Sequence, residues 1–172
     1  MAHKHLDEGV FVMGNGFKVT IAATILAVSG AIGAAVAAEG EEAIKMRVDH
    51  MKSGIAKPFG AIKNFVEKGE GSAADVATNA SMLSDAAMKI PEGFPKGTAR
   101  GDYDEKMTRA LPKIWDDWAD FEARAKALSD EAAKLATVAA GGDAEAIKAQ
   151  FAMVGKNGCG ACHKDYRGDK VK

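Results

Sequence analysis

Cysteine is almost missing from this chain: 172 residues hold two, Cys159 and Cys162, so no disulfide framework can be what stabilises it. Strand signals are scarce as well. Val, Ile and Thr are sparse beside Ala, Glu, Lys and Asp, and no segment alternates apolar and polar residues, which argues against sheets and for helices. An excess of either charge is also lacking. The formal net charge is −1, so there is no basic surplus of the kind that nucleic-acid binding calls for. Residues 39–172 show neither an internal repeat nor a low-complexity tract, and 47% hydrophobic residues exclude disorder.

Charge is absent altogether from Val19 to Ala38, a run preceded by Lys18 and followed by Glu39-Gly40-Glu41-Glu42. Ala35-Val36-Ala37 and Val36-Ala37-Ala38 both resemble small-residue cleavage sites, so residues 1–38 read as a secretory signal peptide. An uncleaved anchor is the second choice, because the run is close to the ~20 residues that span a bilayer. Met13 offers an alternative start with a shorter leader. Either reading places residues 39–172 outside the cytoplasm.

Those residues divide into four amphipathic helices. In the first, from about residue 41 to 68, Ile44, Val48, Met51, Ile55, Phe59, Ile62 and Val66 form one stripe, with a kink expected at Pro58. The second starts after Ser72 as N-cap and is stopped by Pro91; its stripe is Val76, Ala80, Leu83, Ala87 and Ile90. Residues 91–110 read as a long loop. The third helix is expected from Pro112 to Gly141-Gly142, with Leu111, Ile114, Trp118, Phe121, Ala125, Leu128, Ala132 and Leu135 inward. The fourth begins at Asp143 and carries Ile147, Phe151, Val154 and Gly158 toward the two cysteines. The fold class is therefore all-α, an antiparallel four-helix bundle.

Chemistry concentrates at Cys159-Gly160-Ala161-Cys162-His163, a C-x-x-C-H match. Positions three apart share a helix face, so both thiols can reach the vinyl groups along one side of a porphyrin, with His163 placed to ligate the iron. A thioredoxin-like redox pair would need a strand–helix setting that is lacking. A zinc site needs four ligands, and beyond the leader only His50 and His163 add to the cysteines. A disulfide across two residues would restrain little of the unfolded chain. One covalently attached haem c near the C-terminus is the expectation.

A bundle with C-x-x-C-H in its last helix resembles the class II c-type cytochromes, cytochrome c' and its low-spin relatives. The resemblance covers residues 39–172. It rests on the C-terminal stretch from Cys159 to Arg167, on Leu111-Pro112-Lys113-Ile114-Trp115-Asp116-Asp117-Trp118, and on Arg47 four residues before Met51. It implies that Cys159 and Cys162 are the thioether anchors and His163 the proximal iron ligand. It further implies Met51 at the distal position, Arg47 near a propionate, Arg167 beside the imidazole or a haem edge, and Trp115 and Phe121 in the pocket or core. His50 is a competing donor but turns away from the stripe. Met46, Met82, Met88, Met107 and Met153 read as core or surface residues.

Two behaviours follow from the resemblance. With Met51 as sixth ligand the iron is low-spin and the protein is an electron carrier, the first expectation, most like the low-spin methionine-ligated members. With the sixth position open the iron is five-coordinate and binds or buffers nitric oxide or carbon monoxide, the alternative. Neither makes the chain an enzyme. Transient redox proteins are the expected partners, steered by Lys164, Arg167, Lys170 and Lys172. The resemblance also implies a homodimer through the first two helices; the Ala-rich face at Ala73, Ala74, Ala77 and Ala80 permits that close approach and equally suits packing within one bundle. No membrane contact is expected unless the leader is retained, and the location is a bacterial periplasm.

Overall fold

The structure, a computed structural model, describes residues 28–171. The first 27 residues of the expected leader lie outside the described residues, and among those described no helix is long and apolar enough to cross a membrane.

The architecture is four antiparallel helical rods. The first comprises α1 (Val28–Asp49), a π-helical segment π1 (His50–Ala56) and α2 (Lys57–Lys68). The second is α3 (Ala73–Met88). After a 3-10 turn at Pro91–Gly93 and a long loop come α4 (Lys113–Asp116) and the third rod, α5 (Trp118–Ala140). The fourth comprises α6 (Ala144–Met153), π2 (Val154–Gly160) and α7 (Ala161–Tyr166). Among the described residues the only β pairings are isolated bridges at Arg100–Tyr103 and Ala110–Arg167.

Local chemistry explains the ends. Ser72 accepts from the Asp75 amide while Asp75 accepts from the Ser72 amide, a capping box that satisfies donors at the start of α3. Asp143 does the same for α6 by accepting from the Glu145 and Ala146 amides. The stripes read from the sequence meet in one core, where Ile62, Leu83, Ala132, Leu135, Ile147 and Val154 are fully buried. Ser84 on α3 donates to the Ser129 carbonyl on α5 at 3.0 Å, pinning two rods whose facing alanines bring them close.

Three expectations need correction. The first rod starts at Val28 rather than near Glu41, because the Ala-rich stretch ahead of it is a good helix former. At Pro58 the irregularity is a change of helix type within a rod that continues. The proline sits in the first turn of α2, directly after π1 has shifted the hydrogen-bond register, where a missing amide donor costs least. The third helix is not continuous from Pro112: Asp117 leaves the helical region at φ −114 and ψ 43 and separates α4 from α5.

Candidate functional site

At the end of the bundle reached by the C-termini of α3 and α7, the rods splay around a cavity of about 620 Å³. One wall comes from the first rod: Arg47, Val48, Met51, Lys52, Ile55, Ala56 and Phe59. Another comes from the fourth: Gly158, Cys159, Cys162, His163, Tyr166 and Arg167. Phe121, Arg124, Ala125 and Leu128 of α5 form the floor, and the loop adds Phe94 and Lys106 to Ala110. Val48, Met51 and Phe59 are only half-buried although they lie in the apolar stripe, because they face this space rather than another rod.

Both π-helical segments border the cavity. Met51 lies in π1 and Cys159 in π2, so each widened turn sets a side chain named from the sequence into the cavity wall. The cysteine-bearing rod also approaches α5 very closely at Gly158. A Cβ there would stand 2.7 Å from Leu128 Cδ1 and 3.1 Å from Leu128 Cα.

Both thiols are free and half-buried. Burial pushes Cys162 up to about 11, against a smaller opposing pull from Arg124, and raises Cys159 as well. These thiols stay protonated at neutral pH, unlike the thiolates of a redox pair. His163 is moved the other way, down to about 4, by burial first and then by Arg167 and Arg109. Its imidazole is therefore neutral and has a nitrogen lone pair to offer. Among the described residues no three His, Cys, Asp or Glu side chains come together to hold a bare metal ion.

Arg47 is 4% exposed. Its guanidinium donates to Thr98 Oγ1 at 2.8 Å, to the Thr98 carbonyl at 2.6 Å and to Thr108 Oγ1 at 2.5 Å, and lies 4.7 Å from the Phe94 ring centre. Burial lowers it to about 10. Gly93 lets the loop come this near, since a Cβ at that position would be 2.9 Å from Arg47 Cβ. No carboxylate lies within ion-pair distance of it among the described residues, so a buried cation on the cavity wall has only neutral acceptors.

Two thiols three residues apart, a neutral imidazole, apolar walls and a cation without a counter-ion suit a macrocycle with apolar faces, vinyl groups, a central metal and carboxylate substituents. The site fits a covalently held haem.

Seven of the eight residues named from the sequence line the cavity: Arg47, Met51, Phe121, Cys159, Cys162, His163 and Arg167. Trp115 does not. Its indole Nε1 donates to the Phe94 carbonyl at 3.1 Å, so it tethers the loop behind the pocket. That position follows from the break at Asp117, which turns α4 away from the line of α5. His50 is half-buried, with Nε2 2.9 Å from the Ala86 carbonyl at the end of α3, and is not among the cavity residues. Met46, Met82, Met88, Met107 and Met153 are all exposed.

Sequence reasoning missed the acceptors around Arg47, and missed Arg109 and Arg124 in the wall. It also missed the hydrogen bond of 2.6 Å from the Tyr166 phenol to Asp120, which Arg124 also engages at 3.1 Å. Tyr166 with Asp120, and Arg47 with Thr98 and Thr108, are separated by 46 to 61 residues, which leaves no local signal.

The family model described as Cytochrome C' matches residues 42–167. Cytochrome c' from Alcaligenes xylosoxydans xylosoxydans is 33% identical over 135 residues, covering 77% of this chain and 98% of that one. Among solved structures, the nitric oxide complex of a point mutant of cytochrome c prime from Alcaligenes xylosoxidans aligns with a TM-score of 0.64 and 30% identity. It covers 76% of this chain and 97% of its own. A second cytochrome c' structure, described as having an unusual ligand-controlled dimer dissociation, aligns with a TM-score of 0.64 and 32% identity, again over 76% and 97% of the two chains.

Proposed function

The chain belongs to the cytochrome c' family and is a mono-haem c-type cytochrome, and from that premise we propose that it binds a small neutral gas, nitric oxide or carbon monoxide, at five-coordinate haem iron. The haem is covalently attached; Cys159 and Cys162 are the thioether anchors and His163 the iron ligand on the proximal side. The haem supplies an iron centre that can change oxidation state and accept an axial ligand.

The chain's own residues do the rest. The thioether bonds keep the group from leaving. Burial keeps His163 unprotonated and so able to donate a lone pair. Arg47, a buried cation without a carboxylate partner, receives a propionate. Arg167 and Arg109 place positive charge beside the imidazole and oppose its protonation.

The observation that carries the gas-binding reading is the wall given by the first rod. Apart from the exposed Lys52 and the Arg47 already held by threonines, it presents Val48, Met51, Ile55, Ala56 and Phe59. Those five side chains offer an incoming ligand no charge and no strong hydrogen bond, which favours a neutral diatomic over water beside them. The relative solved with nitric oxide supports the same reading.

Met51 is the one soft donor on that wall, and the second reading assigns it to the iron, giving a low-spin electron carrier. The visible spectrum of the ferrous holoprotein, with and without carbon monoxide, separates the two. High-spin bands and prompt carbon monoxide binding are expected. Low-spin bands that convert to high-spin in Met51→Ala would assign Met51 as the ligand and overturn the five-coordinate reading.

Export to a bacterial periplasm is part of the proposal, as is self-association through the first two rods. Ala74 and the exposed Met46, Met82 and Met88 lie on those rods, whereas Ala80 is fully buried and serves the core of its own bundle. Sedimentation with and without carbon monoxide tests the dimer, a ligand-dependent change in mass being the expected result.

A further inference from the structure

Met51 separates the two readings of the iron, so what holds Met51 in place matters. It lies in π1, and a π turn is a rare insertion that an ordinary helix does not adopt unaided. A return of π1 to α-helical bonding would re-phase the rod by one residue, about 100° of rotation, and carry the Met51 side chain to a different place on the wall. Packing holds the segment only on one side. Met51, Lys52, Ile55 and Ala56 border the cavity, and Ile55 is the one buried residue of π1.

His50 supplies a tie. Its Nε2 stands 2.9 Å from the Ala86 carbonyl, and since a carbonyl can only accept, that nitrogen carries the hydrogen. Among the described residues no other side chain of π1 bonds to a different rod: Ser53 Oγ turns back to the Asp49 carbonyl. Ala86 lies in the last turn of α3, where carbonyls lack helical partners, and its oxygen has room for a second donor beside the Lys89 amide at 3.2 Å. The anchor is firm, because two residues earlier Ser84 ties α3 to α5. The ring is seated from its other side by Gly54, also in π1. A Cβ there would stand 3.1 Å from His50 Nδ1 and 3.4 Å from Ala86 Cβ, so a side chain at that position would crowd the imidazole.

We infer that His50 is a positioning residue for the haem site: by bonding the Ala86 carbonyl it fixes π1, and so fixes where the Met51 side chain stands on the wall that an incoming gas meets. The inference rests on the haem reading and deepens the gas-binding one. His50 is not among the cavity residues and touches neither ligand nor iron. It acts through Met51, so removing Met51 must remove its influence on the iron, whereas a general loss of stability would persist.

A double-mutant cycle on the holoprotein tests it. The readouts are carbon monoxide association by stopped flow, the visible spectrum, and amide exchange across residues 50–56. His50→Phe keeps a ring and loses the donor. It is expected to speed exchange in π1 and to change carbon monoxide association roughly five-fold, with more than one phase. His50→Gln, whose amide nitrogen has a similar reach, should return both toward wild type. In a Met51→Ala background His50→Phe should still speed exchange in π1 but no longer alter association. An equal change in association with and without Met51 overturns the inference. So does wild-type behaviour of His50→Phe, or failure of His50→Gln as complete as that of His50→Phe. Should His50→Phe yield no holoprotein, Gly54→Ala carries the same test, and wild-type association in that variant overturns the inference. A wild-type holoprotein that is low-spin and refuses carbon monoxide ends the gas-binding reading and leaves this one to be read from the low-spin fraction. His50→Phe should then lower that fraction and His50→Gln keep it; a fraction that His50→Phe does not move overturns the inference.

Discussion

The Tyr166 phenol, in the last residue of α7, donates a 2.6 Å hydrogen bond to Oδ2 of Asp120 in the first turn of α5. One side chain thus ties the end of the cysteine-bearing rod to the start of the rod that forms the cavity floor. Tyr166 is buried and lies edge-on to Phe121 at 5.5 Å.

This link makes acid stability a readout of site integrity. The Tyr166 hydroxyl first, and Arg124 next, hold the Asp120 carboxyl below the usual carboxylate range. The folded state therefore keeps Asp120 ionised at pH values where the unfolded chain takes up a proton. Its contribution to stability is full above the unfolded carboxylate value and is lost as pH falls through the depressed one. Tyr166→Phe should melt lower at neutral pH and lose less on acidification than wild type. Thermal melts between about pH 3 and pH 7 check this; parallel curves for the two proteins would remove Tyr166 from the account of Asp120.

Arg47 holds the loop to the first rod, and its geometry demands a planar fork. Lysine can occupy the space but cannot donate to Thr98 and Thr108 together from fixed directions. Arg47→Met removes three hydrogen bonds from a buried place and leaves the Thr98 carbonyl without its donor, while Thr98 Oγ1 keeps Pro95 and Thr108 Oγ1 keeps the Ala110 amide; it should cost about 2–4 kcal/mol in denaturant unfolding. Arg47→Lys should fall between the two. A Lys variant as stable as wild type would show that charge, and not the fork, is what the loop requires.

How far the sequence reached is clearest from these two residues. Periodicity identified the stripes because each helix reports its own buried face every three or four residues, and the stripes it named meet in the core. The C-x-x-C-H run was equally local. Arg47 was singled out by resemblance, yet its partners Thr98 and Thr108 lie in a loop without any repeating pattern, so its burial was not legible. The same holds for Tyr166 and Asp120. The π-helical turns were invisible for another reason. Each adds one residue to a turn and leaves the apolar spacing almost unchanged, so Met51 and Ile55 still read as an ordinary helix face.

Gly158 sets the distance between the cysteine rod and α5. Because one of the atoms a new Cβ would meet is Leu128 Cα, a rotamer change cannot clear the way, and the rods themselves must separate. Gly158→Ala should cost roughly 1–3 kcal/mol, the range for an overpacked contact. It should also lower the fraction of chains carrying haem, because Cys159 is the next residue. Leu128→Ala in the same chain removes the Cδ1 contact and should restore part of the stability. Mass spectrometry gives the haem fraction and denaturant melts the stability; no change in either would mean that π2 yields freely.

Trp115 and Phe121 were read alike from the sequence, and the structure separates them. Phe121 is 2% exposed, lies 4.8 Å from Phe94 and faces the cavity, whereas Trp115 stands behind Phe94 and holds its carbonyl. A change in a cavity-lining ring alters the surroundings of a bound chromophore directly. A change behind the wall acts only by loosening the loop. Phe121→Leu should therefore shift the haem absorption bands. Trp115→Phe, which keeps a ring but deletes the indole donor, should leave the bands in place and speed amide exchange around residues 94–98. A band shift from Trp115→Phe as large as that from Phe121→Leu would return Trp115 to the pocket wall, because a tether acting through the Phe94 backbone has no direct contact with the chromophore.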